Sequence, residues 1–125
     1  MNDYTIDHTE DTPKISFRSD NSFYAIEGKS FPENPAEYYL PIYKNLEQHL
    51  SQSSQLTLEA NLEYINSSSV KMIFAFLNLV NGQFNKTKSE GYKIIWKYKS
   101  TDTIMKNKGE EFKEFLDLPF ELISQ

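Results

Sequence analysis

Three consecutive serines stand where a buried strand is expected to turn into a long helix. They belong to the run Asn66-Ser67-Ser68-Ser69, which follows an alternating strand pattern and precedes an apolar helical pattern. The first turn of a helix carries backbone N–H groups without an internal partner and the positive end of the helix dipole. A phosphate group is well accommodated at such a position. The arrangement therefore favours a phosphate acceptor at the start of this helix.

Helix capping is the simplest alternative role for this run. Asn and Ser are leading N-cap residues, each worth about 1 kcal/mol over alanine. Capping explains one or two of these side chains and does not require three hydroxyls. No capping box is present, because the residue three positions after Ser68 is Lys71 and not Glu or Gln. The residues alone leave both roles open, with capping the more frequent one.

Catalysis by a serine is the second alternative. Ser68 and Lys71 have the spacing of an S-x-x-K pattern, but its set of partner motifs is incomplete because no K-T-G occurs, and a G-x-S-x-G turn is absent from the sequence. A nucleophilic serine needs a base within reach, usually a histidine. The chain has two, His8 and His49, and nothing in the pattern brings either to the serines. We predict no catalytic residues, and a small hydrolase using Ser68 and Lys71 is kept as an alternative hypothesis.

Composition argues against several other classes of function. The net charge is −5, whereas a nucleic-acid-binding face needs clustered Lys and Arg; the seven lysines between positions 86 and 108 are interpreted as a solvated strand edge and helix flank. With no cysteine and two histidines, we predict no metal site and no cofactor. No apolar run approaches the ~20 residues of a membrane span, so no membrane insertion is expected. The lack of cysteines and of a signal-peptide pattern predicts a cytoplasmic protein.

Apolar residues recur with the periods of an α/β fold. Alternation predicts strands over 15–18, 23–27, 56–64 and 92–98, and spacings of three to four predict helices over 35–50, 70–89 and 102–118. The order β-β-α-β-α-β-α indicates a sheet of roughly four strands. The strand over 56–64 has one polar face, so helices are expected mainly on one side of the sheet. The helix between this strand and the next predicts a parallel crossover.

Local signals set the expected boundaries. Asn34 followed by Pro35 is typical of a helix N-cap, and Thr101 or Asp102 is expected to cap the last helix. Pro41 removes a helical hydrogen bond at a cost of about 3 kcal/mol, so the first helix should have a separate first turn or a bend. Residues 1–13 are predicted to form a flexible tail, and 14–125 a single domain. With 125 residues and 38% apolar residues, the chain is long enough for one core.

Four segments in a fixed order along the chain point to a known family. They are Gly28 to Asn34, Tyr64 to Lys71, Trp96-Lys97-Tyr98 and Leu118 to Glu121. Over about residues 23–123 the chain resembles the SiaC-type bacterial regulatory phosphoproteins of biofilm control. The resemblance implies a STAS-like fold, similar to that of anti-sigma-factor antagonists. Residues 14–125 would then form one STAS-like α/β sandwich with a mixed sheet.

The resemblance also implies a function for the serine run. The family's acceptor is a Thr directly after the Asn, a position held here by Ser67, with Ser68 and Ser69 as alternatives. A dedicated Ser/Thr kinase would add the phosphate and a PP2C-type phosphatase would remove it. The unmodified, non-enzymatic protein would bind a diguanylate cyclase in cyclic-di-GMP signalling. Partner contacts are expected from the loop at Phe31 and from the helix start, namely from Phe31, Glu33, Asn34, Asn66, Ser68 and Lys71. A constitutive adaptor without phosphorylation is the remaining alternative.

Overall fold

A computed structural model describes residues 3–125 of the chain. Within this range, six strands and three helices follow one another as β1 Tyr4–Ile6, β2 Lys14–Arg18, β3 Phe23–Ser30, α1 Pro35–Gln52, β4 Leu56–Ile65, α2 Ser67–Thr87, β5 Tyr92–Tyr98, α3 Thr103–Phe115 and β6 Phe120–Ser124. The predicted α/β class and single domain are confirmed. The predicted count of four strands is wrong, because the described residues form a sheet of six.

The two strands that the sequence pattern missed lie at the two edges of the sheet. Strand β1 has three residues and pairs antiparallel with β2, and β6 has five and pairs parallel with β5. Strand β1 is too short for a period-two pattern, and adjacent Leu122 and Ile123 break the alternation in β6; backbone pairing with a longer neighbour holds both strands in place. Part of the predicted tail thus belongs to the sheet, while Met1 and Asn2 lie outside the described residues. The flexibility of residues 1–13 and the boundary at 14 stay predictions.

The sheet has the order β1-β2-β3-β4-β5-β6 and a change of direction at β3. Strands β1, β2 and β3 are antiparallel, whereas β3, β4, β5 and β6 run parallel to one another. The parallel crossover predicted between β4 and β5 is confirmed. Along β4, alternate side chains are buried (Leu56, Leu58, Ala60 and Leu62), and those between them are partly exposed. The helices therefore cover one face of the sheet, as its polar alternation predicted.

Asparagine or aspartate side chains cap the amino ends of the helices. The side chains of Asn34 and Asp102 accept hydrogen bonds from the N–H groups of Glu37 and Met105, as expected for N-caps. Helix α1 continues through Pro41, so the separate first turn considered above is not observed. Pro41 is exposed, and water can satisfy the carbonyl that loses its partner there.

Two predicted helix ends were placed too late. Helix α2 ends at Thr87 and not near Ser89, because Lys88 adopts a left-handed conformation with φ 57° and its N–H donates to the Phe84 carbonyl. Helix α3 ends at Phe115, three residues before the predicted end, and Leu116 is already extended. None of the helices in residues 3–125 is both long and apolar enough to span a bilayer.

The packing of the last helix depends on a glycine. A Cβ on Gly109 would lie 2.7 Å from both Trp96 Nε1 and Leu122 Cδ2, so α3 can approach β5 and β6 closely only with glycine at this position. The fully buried Trp96 indole donates a hydrogen bond of 3.0 Å to the Met105 carbonyl. Helix α3 is thereby held against the sheet with its first turn beside the carboxyl end of β4.

Candidate functional site

The start of α2 is organised by Asn66. Its side-chain oxygen accepts hydrogen bonds from the Ser69 N–H (2.9 Å) and, at 3.3 Å, from the Ser68 hydroxyl. Its carbonyl accepts the first helical bond, from the Val70 N–H. Asn66 is therefore the N-cap, and the capping role considered for this run is filled by the asparagine. The N–H groups of Ser67 and Ser68 stay free of helical partners, as in any first turn.

The three serines that follow differ sharply in exposure. Ser67 and Ser68 are exposed, whereas Ser69 is fully buried at 0%. The Ser69 hydroxyl accepts a hydrogen bond of 2.8 Å from the buried Ser30 hydroxyl. Among residues 3–125, the Ser67 hydroxyl makes no hydrogen bond. A modifying enzyme can therefore reach Ser67 and Ser68 but not Ser69 in the folded protein.

The buried hydroxyls extend from α2 to α1. Ser30 Oγ also lies 2.6 Å from the Tyr39 hydroxyl, and burial raises the pKa of that phenol above its ordinary value. Tyr39 is therefore protonated at every physiological pH and can donate. The three hydroxyls link the end of β3 to the second turn of α1 and the first turn of α2.

An exposed aromatic pair adjoins the serines. Phe31 is 38% exposed and meets the 51%-exposed Tyr64 edge to face, with ring centroids 5.9 Å apart. Phe31 directly follows Ser30, whose carbonyl accepts from the Asn66 N–H at 3.1 Å. The structure thus brings the loop that begins at Phe31 to the start of α2. The period-two spacing of β4 predicts that Tyr64 is buried like Leu58, Ala60 and Leu62, and this prediction is wrong. The pairing of β4 with β3 shifts by one residue between Leu62 and Tyr64, which breaks the alternation before Tyr64.

Residues 6–125 match the family model described as SiaC family regulatory phosphoprotein. The chain belongs to this family. The match covers every described strand and helix except the first two residues of β1. The resemblance drawn from the four sequence segments is therefore confirmed.

Solved structures of relatives have the same fold as this SiaC family member. Apo-SiaC from Pseudomonas aeruginosa is 27% identical and has a TM-score of 0.87, with 98% of each chain covered. A crystal structure of the diguanylate cyclase SiaD in complex with its activator SiaC, from the same organism, matches at 26% identity and a TM-score of 0.90, covering 98% of this chain and 100% of that one. An uncharacterized protein of P. aeruginosa strain UCBPP-PA14 is 27% identical over 121 residues, covering 96% of this chain and 94% of the relative.

The remaining predicted contact residues lie around the same end of the sheet. Glu33 and Asn34 are exposed in the loop before α1, and Asn34 also caps that helix. Lys71 is exposed one turn after Ser67, and within residues 3–125 it forms no ion pair. Lys71 is thus the nearest cation along α2 to the exposed serines. Whether any of these residues contacts a partner stays a prediction.

Further exposed apolar residues at this end were missed by the sequence patterns. A cavity of about 200 Å³ lies between the carboxyl end of β4 and the start of α3, with Tyr64, Ile65, Ile104 and Met105 among its lining residues. Ile104 belongs to the apolar residues whose spacing predicts α3, but it is 77% exposed. Only the three-dimensional arrangement reveals this surface, because the helical period of α3 cannot tell which end of its apolar stripe the sheet covers.

The structure does not assemble the parts of the alternative hydrolase. His49 is buried near the amino end of β3, with its ring centroid 3.7 Å from that of Phe17 and the two rings tilted by 33°, whereas the serines follow the carboxyl end of β4. The Ser68 hydroxyl donates to the Asn66 side chain and not to a base. The geometry therefore offers no activation of a serine nucleophile.

Four of the lysines between positions 86 and 108 are paired with glutamates. The ammonium groups of Lys93, Lys97, Lys99 and Lys108 lie 2.7–3.9 Å from carboxylate oxygens of Glu121, Glu59, Glu63 and Glu111, respectively. A cavity of about 610 Å³ beside the uncovered sheet face is lined by side chains of both charges, including Lys14, Lys29, Glu27 and Glu63. This surface has the mixed charge of a solvated face, in contrast to the continuous positive charge of a nucleic-acid-binding surface.

Proposed function

We propose that this SiaC family member is a non-enzymatic regulatory phosphoprotein of a cytoplasmic partner-switching system, with Ser67 as its phosphate acceptor. The observation that carries the proposal is the exposed Ser67 hydroxyl, which has no hydrogen-bond partner in residues 3–125 and stands at the amino end of α2. Backbone N–H groups and the helix dipole favour a phosphate at this position.

Each modification step is a simple phosphoryl transfer. The Ser67 oxygen attacks the γ-phosphorus of ATP, a new O–P bond forms, and the bond to the bridging oxygen of ADP breaks. The hydroxyl proton goes to a base on a Ser/Thr protein kinase, and ADP leaves. A PP2C-type phosphatase reverses the modification with water as the nucleophile, which restores the serine and releases inorganic phosphate.

Ser67 is preferred over its two neighbours for structural reasons. Ser69 is inaccessible and engaged with Ser30. Ser68 is exposed, but its hydroxyl donates to the cap residue Asn66, and modification would replace that donor with an acceptor. Modification of Ser67 disturbs no hydrogen bond within residues 3–125.

The effector that we propose is a diguanylate cyclase in cyclic-di-GMP signalling that controls biofilm formation. The support is the complex of the P. aeruginosa relative SiaC with the cyclase SiaD, in which SiaC is the activator. In the present chain the unmodified surface around Ser67 offers two exposed aromatic rings, Phe31 and Tyr64. A phosphate adds about −1.5 to −2 charges there, and burying such a charge without a partner costs several kcal/mol. Because about 1.4 kcal/mol is tenfold in affinity, the phosphate is sufficient to expel a docked protein.

Phosphate mapping on two adjacent alanine variants tests the acceptor. The wild-type chain, Ser67→Ala and Ser68→Ala are each incubated with the cognate kinase and ATP, and phosphate is located by mass spectrometry. We expect one phosphate on wild type and on Ser68→Ala, and none on Ser67→Ala, whose fold is retained because Asn66 still caps the helix. Phosphate on Ser67→Ala at the wild-type rate would exclude Ser67, and an unmodified wild type would exclude the proposal.

The same samples test the switch itself. Binding to the cyclase is measured by calorimetry before kinase treatment, after it, and after subsequent phosphatase treatment. We expect affinity to fall on phosphorylation and to recover when the phosphate is removed. An affinity that is identical in all three states would support a constitutive adaptor instead.

A further inference from the structure

Ser30 is a buried polar residue that contacts two helices at once. At the end of β3 its hydroxyl donates to Ser69 in the first turn of α2 (2.8 Å) and lies 2.6 Å from the Tyr39 hydroxyl of α1. All three side chains are fully buried. The Ser30 carbonyl accepts a third bond, from the Asn66 N–H (3.1 Å). Ser30 thus joins the cap and the third residue of α2 to α1 and to the sheet.

These bonds fix the segment that carries Ser67 from both sides. Ser67 and Ser68 lie between Asn66 and Ser69, and both of those residues are bonded to Ser30. Phe31 is the next residue after Ser30, and its N–H is bonded to the Asp11 carbonyl at 2.8 Å. One residue therefore sets the position of the exposed hydroxyl relative to the exposed aromatic ring.

Packing alone does not require hydroxyls at these positions. Burying a hydroxyl costs free energy that only a hydrogen bond offsets, and apolar residues of similar size would fill the space without that cost. A fully satisfied buried network has instead the effect of restricting its members to one arrangement. The three hydroxyls of Ser30, Ser69 and Tyr39 define the geometry of the α2 start more narrowly than apolar contacts would.

We propose that Ser30 is a positioning residue for phosphorylation of Ser67: its hydroxyl holds the first turn of α2 in the geometry in which a protein kinase accepts the Ser67 hydroxyl. This inference rests on the function proposed above. Reaction rates are sensitive to such positioning, and a displacement of about 1 Å can cost a factor of about 100. The kinase then recognises the folded surface formed by the Phe31 loop and the α2 start.

Ser22→Ala is the matched control for Ser30→Ala. Ser22 is also a buried serine whose hydroxyl lies near a second serine hydroxyl, Ser53 Oγ at 3.3 Å. It precedes β3, at the opposite end of that strand from Ser30. Both variants remove one buried hydroxyl, but only Ser30→Ala removes a hydroxyl that contacts the start of α2.

Steady-state kinetics with the kinase that modifies wild type give the first result. We expect kcat/KM for Ser30→Ala to fall about 10- to 100-fold, and that for Ser22→Ala to stay within about twofold, at temperatures where both variants are folded. Tyr39→Phe keeps the ring and removes one bond of the network, so an intermediate loss is expected. Equal rates for Ser30→Ala and Ser22→Ala would overturn the proposal.

Amide hydrogen exchange separates this inference from the proposed function. In the full-length Ser30→Ala variant, the amides of Ser69 and Val70 should exchange faster than in Ser22→Ala, because the turn that orders them has lost its anchor. Unchanged exchange would overturn the positioning role even if Ser67 is phosphorylated. Faster exchange together with an unmodified wild-type chain would support the anchor and reject the proposed kinase reaction.

Discussion

At the scale of single residues, the three adjacent serines have different roles because they differ in burial and in hydrogen bonding. Ser67 is exposed, Ser68 is exposed and bonded to the cap, and Ser69 is buried in a network with Ser30. No local pattern distinguishes three adjacent serines, because the difference arises from β3 and α1, far away in sequence. The acceptor position could be proposed from the sequence, but the exclusion of Ser69 needed the fold.

His49 is a second residue whose behaviour depends on its surroundings. It is 2% exposed, and its buried Nε2 has no hydrogen-bond partner within residues 3–125. Burial lowers the pKa of its imidazole below the ordinary value. The unfolded chain therefore binds a proton on this residue at a higher pH than the folded chain does. His49 therefore does not change the free energy of unfolding well above pH ~6.5. As the pH falls below that value, protonation of His49 in the unfolded chain lowers the free energy of unfolding.

We predict that the melting temperature falls between about pH 7.5 and 5.5, and that His49→Leu removes most of this fall. Leucine fills a similar volume on α1 and has no proton to bind. The exposed His8 provides the control, and His8→Ala should keep the wild-type pH dependence. Thermal unfolding followed by circular dichroism checks both variants. A wild-type slope retained by His49→Leu would show that another group is responsible.

At the scale of elements, close packing of α3 overrides helix propensity. In an exposed helix, alanine is favoured over glycine by about 1 kcal/mol. At Gly109 the added methyl group would stand 2.7 Å from Trp96 Nε1 and from Leu122 Cδ2, so the helix would have to move away from the sheet. Overpacking of this kind costs about 1–3 kcal/mol.

Two glycine-to-alanine substitutions should therefore have opposite effects. We predict that Gly109→Ala lowers the free energy of unfolding by about 1–3 kcal/mol, and that Gly82→Ala on α2 raises it by up to about 1 kcal/mol. Gly82 is exposed and has no atom within 4 Å of an added Cβ. Urea unfolding of the two variants and wild type measures both values. A higher free energy of unfolding for Gly109→Ala than for wild type would mean that α3 is not held against Trp96.

The elements themselves were predictable where local signals are strong. The alternation of β4, the apolar stripe of α2 and the caps Asn34 and Asp102 all matched the structure, because each depends on neighbouring residues. The edge strands β1 and β6 were missed, since a short strand is held by pairing with its neighbour and not by its own pattern. Two exposed apolar residues could not be predicted from periodicity. Tyr64 follows a register shift between β3 and β4 that breaks the alternation. Ile104 is 77% exposed, because the helical period of α3 does not show how far the sheet covers its apolar stripe.

At the scale of the whole molecule, the topology gathers three helix starts at one end. Each of α1, α2 and α3 follows one parallel strand and precedes the next, so each begins near the carboxyl end of a strand. The positive ends of their dipoles therefore point to the same end of the sheet. This end also carries Ser67, Phe31 and Tyr64. An anion is tolerated there by the fold as a whole, although the net charge of the chain is −5.

This arrangement separates the effect of charge on stability from its effect on binding. We predict that Ser67→Asp keeps the unfolding free energy of wild type or raises it by about 0.3–1 kcal/mol, as expected for an anion at a helix start. The same variant should bind the cyclase at least about tenfold more weakly, because a docked surface would have to bury the carboxylate. Asn78→Asp is the control, since it adds the same charge on an exposed position of α2 about 16 Å from the helix start. It should bind like wild type. A lower free energy of unfolding for Ser67→Asp would show that the start of α2 does not accommodate an anion. Equal cyclase affinity of Ser67→Asp and Asn78→Asp would show that a charge at Ser67 does not control binding.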